Sequence, residues 1–155
     1  MYQKIVVPLD GSKLAESVFP HLEAVARGCS TEEVVLVSVT EHITGTVPTD
    51  YLVAEHITTI PVSIGKKQGQ AQRYLARIAR RLAKKGIKAR TEVLIGDPAE
   101  EIISFVKKTD ADLILMASHG RSGISRWTHG SVADRVFRAS SVPVLMVRAL
   151  PTPAQ

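Results

Sequence analysis

Gly120, Gly123 and Gly130 punctuate the run Ala117-Ser-His-Gly-Arg-Ser-Gly-Ile-Ser-Arg-Trp-Thr-His-Gly-Ser131. With no Cβ in the way, glycines let the backbone come close to a ligand. The run follows the apolar stretch Leu113–Met116 and leads into Val132-Ala-Asp-Arg-Val-Phe137, which has helical spacing. Ser131 therefore falls at a helix N-terminus, where amides without intrahelical partners and the helix dipole favour an anion. Main-chain binding of phosphate is the chemistry this pattern fits. Ser131 followed by Asp134 also fits a capping box, so the hydroxyl has a structural use as well. His119, Arg121, Arg126 and His129 add positive charge nearby. Trp127, the single tryptophan, reads as packing in the loop or at an interface rather than as a stacking platform.

Asp10 is the other candidate. It stands in Asp10-Gly11-Ser12, directly after Lys4–Leu9, whose β-branched core reads as a buried strand. Ligands of open α/β sheets bind just beyond the carboxyl ends of strands. There Asp10 either accepts hydrogen bonds from ribose hydroxyls or bonds its own turn amides. It is also the one carboxylate placed to share a magnesium ion with phosphates, and the metal question stays open. The chain has no G-x-x-x-x-G-K-[ST] and no G-x-G-x-x-G after its first strand, which removes the P-loop and Rossmann readings. Glu41-His-Ile-Thr44 recurs as Glu55-His-Ile-Thr58, but no tightly spaced ligand cluster accompanies the two Glu-His pairs, and coincidence is the better account. No nucleophile is paired with a base, so the sequence supports nucleotide binding better than turnover.

The positioning elements alternate. After the first strand, Ala15, Val18, Phe19, Leu22 and Ala26 recur at helical spacing, with a kink expected at Pro20. Val34–Val39 is the second strand. Thr40–Ile64 has no clear pattern; part reads as a short helix around residues 50–56 and part as cover for the site. A helix over residues 66–85 carries an apolar stripe of Ala71, Tyr74, Leu75, Ile78, Ala79 and Leu82, and Gly86 ends it. Its other side is basic (Arg73, Arg77, Arg80, Arg81, Lys84, Lys85), and with no interleaved aromatics it reads as a solvated face rather than a nucleic-acid surface. Ala89–Ile95 is the third strand. Asp97-Pro98-Ala99-Glu100 opens the next helix with an N-cap, a first-turn proline and a capping-box glutamate. Leu113–Met116 is the fourth strand, the glycine run is a loop, and Ser131–Ala139 is the last helix. Val144–Val147 is the fifth strand, with Pro143 at its start or at a sheet edge. Residues 151–155 read as a frayed tail. This alternation predicts one domain: an α/β three-layer sandwich with an open, mostly parallel sheet and helices on both faces. Sheet order does not follow from it.

Composition sets bounds. The chain has 155 residues, 45% of them hydrophobic and only 5% aromatic, so aliphatic side chains must build the core. The net charge of +5 and pI of about 9.6 favour an anionic ligand without requiring nucleic acid. Cys29 is the only cysteine, so no internal disulfide can form. No apolar stretch approaches the roughly 20 residues of a membrane span. A cytoplasmic protein without membrane segments is expected.

The glycine run resembles the nucleotide loop of the universal stress protein family, G-x-x-G, nine residues, then G-[S/T]. Gly120 is the second glycine, Arg121–His129 the nine residues and Gly130-Ser131 the close. The resemblance extends to Ile5-Val-Val-Pro-Leu-Asp-Gly-Ser12 and Val142-Pro-Val-Leu-Met-Val147, nearly the whole chain. It implies a five-stranded sheet of order 3-2-1-4-5, the adenine nucleotide alpha hydrolase-like arrangement. It also implies binding of ATP or a related adenine nucleotide (AMP, ADP or a cyclic nucleotide), with magnesium as a possible companion. Asp10 and Val39 would hold ribose and adenine, and Ala117, Gly120, Gly130, Ser131 and Val132 would wrap the phosphates. Pro8, Leu9, Met116, His119, Arg121, Gly123 and Ala133 complete the implied set. A homodimer through the edge strand Val142–Val147 is the implied assembly. Ala117 replaces the first motif glycine, which favours the alternative of a dimeric interaction protein without nucleotide; a slow ATP hydrolase is a third reading.

Overall fold

The computed structural model describes residues 1–41, 62–119 and 131–149. Five strands form one sheet of order β3-β2-β1-β4-β5: β1 Lys4–Pro8, β2 Glu33–Thr40, β3 Ala89–Ile95, β4 Leu113–His119 and β5 Val144–Ala149. Every pairing is parallel, with Val6 opposite both Val35 and Ile114, and Ala117 opposite Val147. A parallel sheet needs cover on both faces, which is why its inner strands are continuous aliphatic runs. Ile5, Val7, Val34, Leu36, Leu113 and Leu115 face one core, closed by α1 (Phe19–Gly28) and α2 (Val62–Ala83). Val6, Val35, Val37, Ile114 and Met116 face the other, closed by α3 (Pro98–Thr109) and α4 (Ser131–Ala139). The expected three-layer fold and strand order are both observed.

Several boundaries differ from the sequence expectation. β4 runs on to His119, so Ala117 and Ser118 are strand rather than loop, and β5 runs on to Ala149. Pro20 kinks nothing. A 3-10 turn over Ala15–Val18 precedes α1, and Pro20 sits in its first turn, where an amide has no intrahelical acceptor to lose. α2 begins at Val62, before the expected start. Gly86 ends it at φ 77°: its N–H donates to the Ala83 carbonyl and that of Ile87 to Leu82, a Schellman close sealed by buried Ile87. The expected helix around 50–56, the paired Glu-His repeats and the tail at 151–155 lie outside the described residues.

α3 is capped as expected: Asp97 Oδ1 accepts from the Glu100 amide at 3.0 Å. The reciprocal half of the capping box is replaced. The Glu100 carboxylate instead lies 3.5 Å from the Arg135 guanidinium of α4, and Arg135 reaches both Asp97 oxygens at 3.1 Å. One aspartate thus caps α3 and ties it to α4. Those bonds, the Arg135 guanidinium first and the Glu100 amide next, hold the Asp97 carboxyl below the usual carboxylate range. A depressed carboxyl contributes stability above its unfolded pKa of about 3.9 and loses it on acidification below that value. Asp97→Ala should therefore cost about 1 kcal/mol near neutral pH, the size of a lost N-cap. Thermal unfolding of the two proteins as a function of pH checks it: their difference should shrink as pH falls through the carboxylate range.

Candidate functional site

The order β3-β2-β1-β4-β5 reverses its direction of growth between β1 and β4, and crevices form at such a switch point beyond the carboxyl ends of the strands. Asp10 lies there, just past β1. Its two oxygens have different fates. Oδ1 accepts from the Ser12 amide at 2.9 Å, closing the turn that Gly11 makes possible at φ 84°. Oδ2 is buried and has no hydrogen-bond partner among the described residues. Ser12 in turn accepts from the Ala15 amide at 3.1 Å and starts the 3-10 turn. The turn-aspartate reading thus accounts for one oxygen and leaves the other without a partner among the described residues. A buried acceptor without a partner costs on the order of 1–3 kcal/mol, so its retention is informative.

Beside it opens a pocket of about 320 Å³ lined by Asp10, Gly11, Ser38, Val39, Thr40, Glu41, Lys67, Gln70, Ala71 and Tyr74. Its origin lies in the packing of α2 on β2. At the lower end that interface is apolar: Val34 and Leu36 meet a layer containing Leu75, Ile78 and Leu82. Two residues further along the strand, side-chain alternation places Ser38 and Thr40 in the same row. Opposite, the helix offers Lys67, Gln70, Ala71 and Tyr74. The core turns polar where it reaches the strand ends, and small Ala71 leaves room. Tyr74, expected in the apolar stripe, has its ring against the core and its hydroxyl on Glu16 Oε1 at 3.2 Å. Burial first, then the Glu16 charge and hydrogen bond, push its ionisation well above the ordinary phenol range.

The sequence-expected residues divide between side-chain and main-chain roles. Val39 lines the pocket. Leu9 and Met116 are buried in opposite cores, and Pro8 is buried too, so these three can meet a ligand only through backbone. Ala117 is buried on the α1/α2 face, so its methyl belongs to the core. His119 ends β4 and Ser131 begins α4. Val132 is buried under α4 and Ala133 packs on the same core. Asp134, offered as a capping-box partner, pairs with Arg138 at 2.9 Å. Gly120, Arg121, Gly123, Arg126, Trp127, His129 and Gly130 lie outside the described residues. Sequence reading missed Ser38, Lys67, Gln70, Tyr74 and Glu16. Ser38 was the available signal: a hydroxyl inside an aliphatic strand, on the face that α2 covers.

Part of the basic face of α2 is spent internally. Arg81 lies 3.6 Å from Glu16 and its guanidinium sits 4.8 Å over the Phe19 ring, while Lys85 pairs with Glu23. Among the described residues no group of three or more His, Cys, Asp or Glu forms a metal cluster, and no helix is long and apolar enough to cross a membrane.

The family model described as the universal stress protein family matches residues 1–148. Universal stress protein MJ0531 of Methanocaldococcus jannaschii is 33% identical over 148 residues, spanning 96% of this chain and 83% of its own. The solved structure of MJ0577, from the same organism, superposes with a TM-score of 0.78 at 28% identity, covering 98% of this chain and 99% of the other. Two more distant structures share the fold: an Arabidopsis thaliana family member with AMP bound (TM-score 0.65, 14% identity, 96% and 93% covered) and a universal stress protein in complex with cAMP (0.63, 19%, 96% and 98%).

Tyr74 offers a direct check on the pocket. Its raised ionisation means a contribution to stability that is complete below the unfolded phenol value of about 10 and lost as pH rises above it. In a near-ultraviolet titration one phenol should ionise above the ordinary range. Tyr74→Phe should delete that step and no other.

Proposed function

The chain belongs to the universal stress protein family, and on that premise we propose that it binds ATP or a related adenine nucleotide at the C-terminal edge of its sheet and acts as a nucleotide-responsive dimer in the cytosol. The observation that carries this is Asp10 Oδ2, a buried carboxylate oxygen without a partner among the described residues, beside a pocket between α2 and the carboxyl ends of β1 and β2. A ribose hydroxyl is the donor that position suits. Val39 then neighbours the adenine. The amides opening α4 at Ser131 and Val132, with the glycine loop before them, take the phosphates, where the helix dipole favours negative charge. AMP and cAMP on two proteins of the same fold support an adenine nucleotide as the ligand class. Asp10 is the available carboxylate for a magnesium ion shared with the phosphates.

The alternative of a dimer that takes no nucleotide drew on Ala117 in place of glycine. That methyl is buried in the α1/α2 core, which supports the nucleotide reading over this alternative. Ala117→Gly should therefore cost about 1 kcal/mol of stability and bring no gain in affinity. Titration calorimetry of nucleotide-stripped protein with ATP and AMP tests the central point. Heat and a thermal shift are expected, Asp10→Ala should weaken binding about tenfold or more, and Gly120→Val should abolish it. No heat with either nucleotide would remove the proposal.

The dimer would form along β5. This strand is at the sheet edge, where unpaired backbone groups invite another strand. Leu145 is 38% exposed there, and Phe137 of α4 is 59% exposed. Light scattering should give twice the mass of one chain, and Leu145→Lys should shift it toward one.

A further inference from the structure

The wall that α2 presents to the pocket is graded in its hydrogen-bonding character. Toward the helix N-terminus it offers donors, the Lys67 ammonium and the Gln70 amide. At Tyr74, beside Asp10, the available atoms are acceptors. A phenol has one hydrogen, and that of Tyr74 goes to Glu16 Oε1 at 3.2 Å. Glu16 is held from its other side by Arg81, 3.6 Å from Oε2, and Arg81 is itself seated over Phe19 at 4.8 Å. The Arg77 guanidinium lies 5.5 Å from the Tyr74 ring centre. The ring is thus fixed by its neighbours and its proton is committed, which leaves the oxygen lone pairs for a ligand. Asp10, as a carboxylate, is an acceptor only, and its Oδ2 is the buried atom still lacking a donor among the described residues.

We propose that Tyr74 is a specificity-determining residue: its phenolic oxygen and Asp10 Oδ2 together accept from the two hydroxyls of a ribose cis-diol, so that the pocket selects ribonucleotides over deoxyribonucleotides. This rests on adenine-nucleotide binding at the same pocket. Two acceptors on one pocket would serve two vicinal O–H donors, and removing either hydroxyl from the sugar would then leave its acceptor unpaired. Sites built to bond a hydroxyl reject the analogue lacking it far more strongly than apolar pockets reject a missing methylene. Burial, then the Glu16 charge and hydrogen bond, push the Tyr74 ionisation up, in keeping with a phenol that retains its proton on the Glu16 bond.

Calorimetry with ATP, 2′-deoxy-ATP and 3′-deoxy-ATP on wild type and Tyr74→Phe tests it. Wild type should bind ATP about tenfold more tightly than each deoxy analogue, the scale of one hydrogen bond. In Tyr74→Phe the preference against one analogue should fall to about even, because ATP loses what the analogue never had. The preference at the other hydroxyl, the one facing Asp10, should persist. A Tyr74→Phe protein that binds ATP with both preferences intact overturns the assignment. So does a wild type that binds ATP and both deoxy analogues equally, a result that needs no variant and leaves nucleotide binding standing. No binding of ATP to wild type overturns the nucleotide reading itself and this assignment with it.

Discussion

All five strands run the same way, and the rest of the molecule follows from that. Parallel neighbours cannot be joined by a tight turn; each return must cross the sheet, and right-handed crossovers of this kind place helices on the faces. The strands then bury both sides and read as unbroken aliphatic runs. The helices that directly follow a strand begin at one common edge, the one at which the strands end. Helix N-termini and strand ends meet there, and amides without partners collect. Between β1 and β4, where growth of the sheet reverses, the connections diverge to opposite sides and leave a crevice. Chemistry at this edge is a consequence of direction before any particular residue is considered.

What this chain adds is a local change of polarity. The α2–β2 interface is apolar at Leu36 and Leu75 and polar at Ser38 and Gln70. Filling the upper end with aliphatics would extend the core. Here instead Asp10 keeps one oxygen buried without a partner among the described residues, and Tyr74 is steered by Glu16 and Arg81. The exposed ion pairs of α2 add little to stability by themselves. Arg81 is different in kind, since it orients the carboxylate that orients the phenol.

The sequence disclosed the layers because they rest on periodicity: aliphatic runs for strands, a stripe for α2, Asp97-Pro98 and Gly86 for helix ends. It placed Asp10 in a turn directly after the first strand, where the structure also has it, and left open whether its oxygens serve the turn or a ligand. It did not disclose the Asp97–Arg135 tie or the Tyr74–Glu16 bond. Those partners lie 38 and 58 residues apart and meet only once the sheet is assembled. Tyr74 was hidden for a further reason: the ring obeys the apolar pattern while the hydroxyl does not, and a one-letter periodicity cannot separate the two ends of an amphipathic side chain. Pro20 misled because the helix start was placed a turn too early, which turned a first-turn proline into an interior one.

Ala117 shows how register decides what a motif departure means. In a parallel sheet, successive side chains point to opposite faces, so a one-residue shift would move each side chain from one core to the other. Pairing with Val147 fixes Ala117 in the row of Leu113 and Leu115, toward α1 and α2. A methyl added on that face fills core volume, while its backbone still ends at the crevice. A glycine in a loop motif is required for close approach only where its Cβ vector points at the ligand. Here the strand continues through Ala117 to His119. Ala117 is still inside that strand, and its side chain belongs to the core row rather than to the loop that follows.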